Sequence, residues 1–222
     1  MTKFADYMRI RRYNIRFFAL LIILLFSYSA VKGDKLRSCD LIFVGSGQSD
    51  FSQAIADATS QEYEKMRFVH VGIIEVNDSN INVIEASPQE GVRIIDLKDF
   101  LRSAPSIEGK PAVEIKRCII DFPIEETIQR AKGFLGEPYD WWYMPDNGKM
   151  YCSELVYESF LDQQGKPIFE AQPMNFRAKD GSMPQFWIDL FEKIGESIPE
   201  GAPGTNPSDL SKSKKLIRVI YP

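Results

Sequence analysis

Histidine is nearly missing from this 222-residue chain: there is one, His70. A single imidazole and three scattered cysteines, Cys39, Cys118 and Cys152, lack the spacing of a zinc site. No metal and no other cofactor is therefore expected. Three is an odd count, which excludes a fully paired disulfide framework and leaves at least one thiol free or paired between chains. Positive charge is in deficit as well, with a net charge of -4 and no basic patch interleaved with aromatics, so nucleic acid is not an expected partner. Beyond the N-terminal segment no apolar run is long enough to span a bilayer. Repeats and low-complexity tracts are absent, and a composition of 44% hydrophobic and 26% charged residues makes no case for disorder.

What is present starts with a basic and then apolar N-terminus. Arg9, Arg11, Arg12 and Arg16 precede the run from Phe17 to Phe26, and the small residues Ser27, Ser29 and Ala30 follow. That order is the n-region, h-region and cleavage site of a secretory signal peptide. Residues 1–30 are thus expected to be a signal peptide, or an N-terminal anchor if uncleaved, and any membrane contact runs through them alone. Residues 31–222 are expected to form one exported domain, periplasmic or associated with the cell envelope. A domain of that size buries about 70% of its unfolded surface. Export also implies an oxidising compartment. Cys39 and Cys118 each border a predicted strand, and either pair there or serve as small buried hydrophobes.

Strand patterns cover Asp40–Val44, Val69–Val76, Ile81–Ala86, Val92–Ile95, Val113–Ile119 and Leu216–Tyr221. Helical patterns cover Ser49–Ala58, a short stretch from a cap at Asp96 to Leu101, Pro123–Leu135, Cys152–Leu161 and Gln185–Ile194, and Asn206-Pro207 starts one further turn. Strands dominate the first half and helices the second, with few βαβ alternations. This predicts an α+β fold with a mostly antiparallel sheet.

His70 lies in an apolar, β-branched run, and Cys152 stands where an extended loop turns into a helix. An imidazole on a strand and a thiol at a helix start are the two halves of a thiol nucleophile. The helix N-terminus and an imidazolium both favour thiolate, and the imidazole then protonates the leaving group. The backbone N–H of Cys152 would form half of an oxyanion hole, with Tyr139 and Tyr151 as candidates for the other half. The turn Asn77-Asp78-Ser79-Asn80 offers a third group. Closing it as a two- or four-residue loop pairs Val76 with Ile81 and sets Gly72 opposite Glu85, so that Glu85 shares a sheet face with His70. Gly72 is expected to leave open space between them, and Glu75 points the other way by strand parity. Before the cysteine, Tyr139, Trp141, Trp142 and Tyr143 either wall a substrate groove or pin their loop to the core.

The segments Cys39-Asp40-Leu41-Ile42-Phe43, Val69-His70-Val71-Gly72, Val83-Ile84-Glu85-Ala86, Pro138-Tyr139-Asp140 and Tyr151-Cys152-Ser153-Glu154-Leu155 resemble the YiiX/YaeF-like cysteine hydrolases. These form the circularly permuted branch of the NlpC-type papain fold, in which the His strand precedes the Cys helix. The resemblance spans residues 39–161 and implies Cys152 as nucleophile, His70 as base and Glu85 as orienting residue. It departs at Cys39, where the family pattern usually has glycine, and leaves residues 162–200 unmatched, a segment that would cap the site.

Three functions compete. The leading one is an exported hydrolase that cleaves an amide through an acyl-thioester, with cell-wall peptide as substrate. The second is an acyltransferase or lipid-amide/ester hydrolase using the same Cys-His-Glu site. The third is a non-catalytic binding module of the envelope. Tyr139, Tyr151, Trp141 and Trp142 are the expected substrate contacts. Oligomeric state is not legible.

Overall fold

The computed structural model describes residues 34–59, 66–78 and 80–221. The reading of residues 1–30 as an export signal lies outside that range. Residues Lys35–Tyr221 make up one unit. Its strands are β1 (Asp40–Gly45), β2 (Phe68–Asn77), β3 (Asn80–Ser87), β4 (Gly91–Asp96), β5 (Ser106–Ile107), β6 (Lys110–Pro111), β7 (Val113–Cys118), β8 (Gln172–Pro173), β9 (Pro203–Gly204) and β10 (Leu216–Val219). Its helices are α1 (Asp50–Thr59), α2 (Leu97–Ser103), α3 (Ile124–Gly133), α4 (Cys152–Ser159), α5 (Gln185–Ile194) and α6 (Pro207–Ser211).

One six-stranded sheet in the order β10-β7-β1-β2-β3-β4 organises the domain, and every pairing in it is antiparallel. The α+β architecture with an antiparallel sheet is as the strand and helix patterns predict. The β2–β3 hairpin adopts the expected register, with Val76 opposite Ile81 and Ile73 opposite Ile84. One face of the sheet carries Leu41, Phe43, Val71, Ile73, Ile84 and Ala86, which pack on Leu155 and Val156 of α4 and on Trp187 and Phe191 of α5. The other face carries Ile42, Ile74, Val83 and Ile115 under Leu97 and Phe100 of α2. Alternation along the strands thus feeds two separate cores.

Helix ends follow local chemistry. Asp96 caps α2, its carboxylate accepting the Lys98 N–H at 2.8 Å. Asn206 caps α6, accepting the Asp209 N–H at 2.8 Å. Gly195 ends α5 at φ 73°. Four C-terminal ends fall short of the patterns: β7 stops at Cys118 and not Ile119, α3 at Gly133 and not Leu135, α4 at Ser159 and not Leu161, and β10 at Val219 and not Tyr221. Pro123 stands before α3 as its cap residue and not inside its first turn. The two-stranded ribbons β5–β6 and β8–β9 are too short to leave a periodic signal.

The Cys39 departure has a structural reading. Asp40 N–H bonds the Arg37 carbonyl at 3.1 Å, closing a turn in which Cys39 sits at φ 68°. That left-handed conformation favours glycine. Cys39 and Cys118 are both buried free thiols.

Candidate active site

His70 reaches the site through a break in the sheet. Val44 pairs with His70 but Gly45 with Phe68, so Val69 is an extra residue on β2. Such a bulge twists a strand and re-aims the side chains beside it. Phe100 of α2 stacks on the imidazole at 6.1 Å between ring centroids. The imidazole Nε2 lies 2.6 Å from Glu85 Oε2, and the Cys152 thiol is near enough to the ring to act on its charge. With Nε2–H donating to the carboxylate, Nδ1 is left for the sulfur.

Glu85 is itself held in place. Its Oε1 accepts two N–H bonds from Arg93, at 2.9 Å from Nε and 2.7 Å from Nη2. Arg93 stands directly across from it on β4, and Glu90 pairs the far side of the guanidinium at 2.7 Å. Burial would raise the Glu85 pKa, but His70 and then Arg93 outweigh it and hold the carboxyl below its ordinary range. For His70, burial disfavours the charge, but Cys152 and then Glu85 prevail and lift the pKa to about 10. The favoured state is imidazolium between sulfur and carboxylate.

Cys152 is the first residue of α4 and is 4% exposed. Its helix start is fastened on both sides. Glu154 accepts the Tyr151 N–H at 3.3 Å, and Ser153 Oγ donates to the Thr205 carbonyl at 3.0 Å. A cavity of about 40 Å³ adjoins the cysteine, lined by Ile55, Val69, Tyr139, Tyr143, Tyr151 and Phe176 among others. That volume admits a few waters and no more.

The structure brings Cys152, His70 and Glu85 together and puts Tyr139 and Tyr151 on the cavity wall. It does not bring Trp141 or Trp142 there. Trp141 packs on Phe51 and Tyr139, and Trp142 is an exposed ring with the Lys149 ammonium 3.1 Å above it. The reason is Asp140, fully buried, whose carboxylate ties back the Trp142 and Met144 N–H groups at 2.9 Å each and turns the loop. Open space at Gly72 is also corrected. A Cβ there would stand 2.4 Å from Val83 Cγ1, so valine fills the gap and glycine is required for it to fit. Glu75 pairs with Lys132, as a group on the far side would.

Sequence reasoning missed Arg93, and it named Tyr143 only as one of the loop aromatics. Extending the hairpin logic across the tight β3–β4 turn would have set Arg93 opposite Glu85. It also left residues 162–200 unassigned, whereas Met174, Asn175 and Phe176 wall the cavity.

Comparison with known proteins bears on this geometry. A family model described as permuted papain-like amidase, YaeF/YiiX, C92 family, matches residues 35–220. The chain belongs to that family. It is 28% identical over 181 residues to the uncharacterized protein YiiX of Escherichia coli strain K12, covering 81% of this chain and 84% of that protein. A crystal structure titled as the metalloprotein YiiX of Escherichia coli O157:H7 superposes with a TM-score of 0.66 at 26% identity, over 84% of this chain and 97% of the other. Among the described residues of this chain, no group of three or more His, Cys, Asp or Glu could hold a metal ion. Membership in a papain-like amidase family carries a cysteine-hydrolase, amidase kind of function.

Proposed function

We propose that the chain is an exported hydrolase that cleaves an amide through an acyl-thioester on Cys152, with peptide of the cell wall as substrate. The observation that carries the chemistry is the imidazole of His70, bonded to Glu85 through Nε2 and neighboured by the Cys152 thiol. Cys152 would attack the carbonyl carbon as thiolate. His70 would protonate the departing amine, then take a proton from the water that hydrolyses the thioester. Glu85, anchored by Arg93, would hold the ring in one orientation. The start of α4 would favour negative charge at the sulfur, and the Cys152 N–H would meet the developing oxyanion. Export to the periplasm or envelope rests on the basic and apolar N-terminus.

A second reading, a lipid-amide or ester hydrolase or an acyltransferase with the same three residues, is favoured by one feature. The small cavity beside Cys152 is walled mainly by aromatic and aliphatic groups, which suit the first carbons of an apolar acyl group. Trapping separates the two. Cys152→Ser protein incubated with envelope extract, captured and analysed by mass spectrometry, should carry peptide on the first reading and acyl lipid on the second. If Cys152 in the wild type alkylates no faster than free cysteine, and His70→Ala leaves that rate unchanged, both hydrolytic readings fail and a non-catalytic envelope binding module remains.

A further inference from the structure

The Cys152 N–H supplies one hydrogen bond to a developing oxyanion, and a second donor should stand across the same cavity. Of the two tyrosines expected from sequence, Tyr151 is committed elsewhere. Its hydroxyl accepts the Thr205 N–H at 3.2 Å and lies 3.9 Å from Met174 Sδ.

Tyr143 differs in three independent ways. Its backbone is held at φ 55°, a conformation that costs a bulky residue on the order of 1 kcal/mol or more and persists where surroundings enforce it. The enforcing group is the buried Asp140 carboxylate, which bonds the N–H groups on either side of Tyr143. The ring is clamped as well, with Tyr139, Tyr151, Phe176 and Trp187 at 5.3 to 6.5 Å between centroids. Finally, its hydroxyl is fully shielded and meets the Tyr139 hydroxyl without a well-aligned hydrogen bond, although the residue lines the cavity with Cys152. A buried hydroxyl without a partner costs about 1–3 kcal/mol. A strained backbone, a rigid ring and an unspent donor beside a nucleophile are explained together if the donor acts on something bound there.

We propose that Tyr143 is a catalytic residue, the side-chain donor of the oxyanion hole, an inference that rests on the Cys152 hydrolase reading. The thiolate forms a bond to the carbonyl carbon while the carbonyl π pair moves onto oxygen. Tyr143 O–H donates to that oxygen and keeps its proton. The pair then returns, the bond to nitrogen breaks, and the amine leaves with the proton from His70. Burial, opposed by the neighbouring Tyr139 hydroxyl and reinforced by negative charge at Cys152 and Asp140, holds the Tyr143 hydroxyl well above its ordinary range. It therefore stays a donor across the working pH.

The experiment compares two reactions of one sulfur in the full chain. Iodoacetamide alkylates a thiolate without making an oxyanion, whereas p-nitrophenyl butyrate acylates it through one. Tyr143→Phe should slow acylation of Cys152, read as the nitrophenolate burst and the mass of the acyl-enzyme, by about 100-fold. Its alkylation should stay within twofold of wild type, which also reports an intact fold. Equal loss in both reactions would make Tyr143 a packing residue and overturn the proposal, as would unchanged acylation. If wild-type Cys152 alkylates rapidly, yet Tyr143→Phe has no effect on ester acylation, only the oxyanion assignment falls. If the wild type takes no acyl group at Cys152, the hydrolase reading fails first and takes the assignment with it.

Discussion

Replacing Glu154 by Gln should stabilise the protein, and only at neutral to alkaline pH. Glu154 lies two residues past Cys152, is 6% exposed, and accepts one bond, from the Tyr151 N–H. Burial pushes its carboxyl up; the Tyr151 N–H opposes that, and Asp140, Glu158 and Glu137 reinforce it, carrying the pKa from 4.5 to about 8. Between those values the folded state binds the proton and the unfolded state does not. Stability must therefore fall as pH rises through the window from 4.5 to about 8. At about 1.36 kcal/mol per pH unit, the whole window is worth about 4–5 kcal/mol as an upper bound, and relaxation around a buried charge brings it to the order of 2 kcal/mol. Glutamine keeps the oxygen that Tyr151 N–H needs and carries no charge at any pH. Urea denaturation at pH 4.5 should give matching midpoints for wild type and Glu154→Gln, while at pH 8 the variant should be more stable by that amount, about 4–8 °C in Tm for a domain of this size. A gain that is the same at both pH values, or a loss at pH 8, would refute the placement of this carboxyl.

Burial raises Cys39 to about 12 and raises Cys118 as well, so in the native protein iodoacetamide should label Cys152 alone, as peptide mapping would show. Turnover should hold until the His70 imidazolium is lost and then fall on an alkaline limb near pH 10, read from a pH–rate profile on whichever amide the trapping identifies. Glu85→Gln should slow turnover far less than Cys152→Ala while lowering the pH of that alkaline limb, because one of the two partners that sustain the imidazolium loses its charge. Gly72→Ala should cost about 1–3 kcal/mol in urea melts, since the new methyl meets Val83 at 2.4 Å in a fully buried position.

Much of this was legible in sequence because it depended on local rules. The turn from Asn77 to Asn80 fixes which residues face each other, and parity then carries Glu85 to His70. Alternation in β1, β2 and β3 assigns their two faces. What stayed hidden depended on contacts between distant segments. The bulge at Val69 arises from pairing with β1 and leaves no mark in β2 itself. The aromatic loop shows four rings in five residues, but which of them turn inward depends on Asp140 finding N–H groups in its own loop. Residues 162–184 show little periodicity because they are largely irregular and are tied down by individual bonds, such as Asn175 Nδ2 to the Ala58 carbonyl at 2.6 Å.

The order of charges across the site explains why each member sits where it does. Arg93, Glu85 and His70 form one line in which cation and anion alternate, and Cys152 stands beside its last member. Removing Arg93 would leave Glu85 to share its charge with His70 alone, and the carboxylate would lose the two bonds that aim it. At the opposite end the line must stop at sulfur. A second anion at Glu154, inside the first turn of α4, would compete with the sulfur for the same helix N-terminus. Desolvation prevents this by keeping Glu154 protonated at neutral pH. Burial thus acts in opposite senses on two carboxyls of one site: Glu85, given two partners, stays ionised, and Glu154, given a single N–H and acidic neighbours, stays neutral. The start of α4 is thereby left free of carboxylate charge.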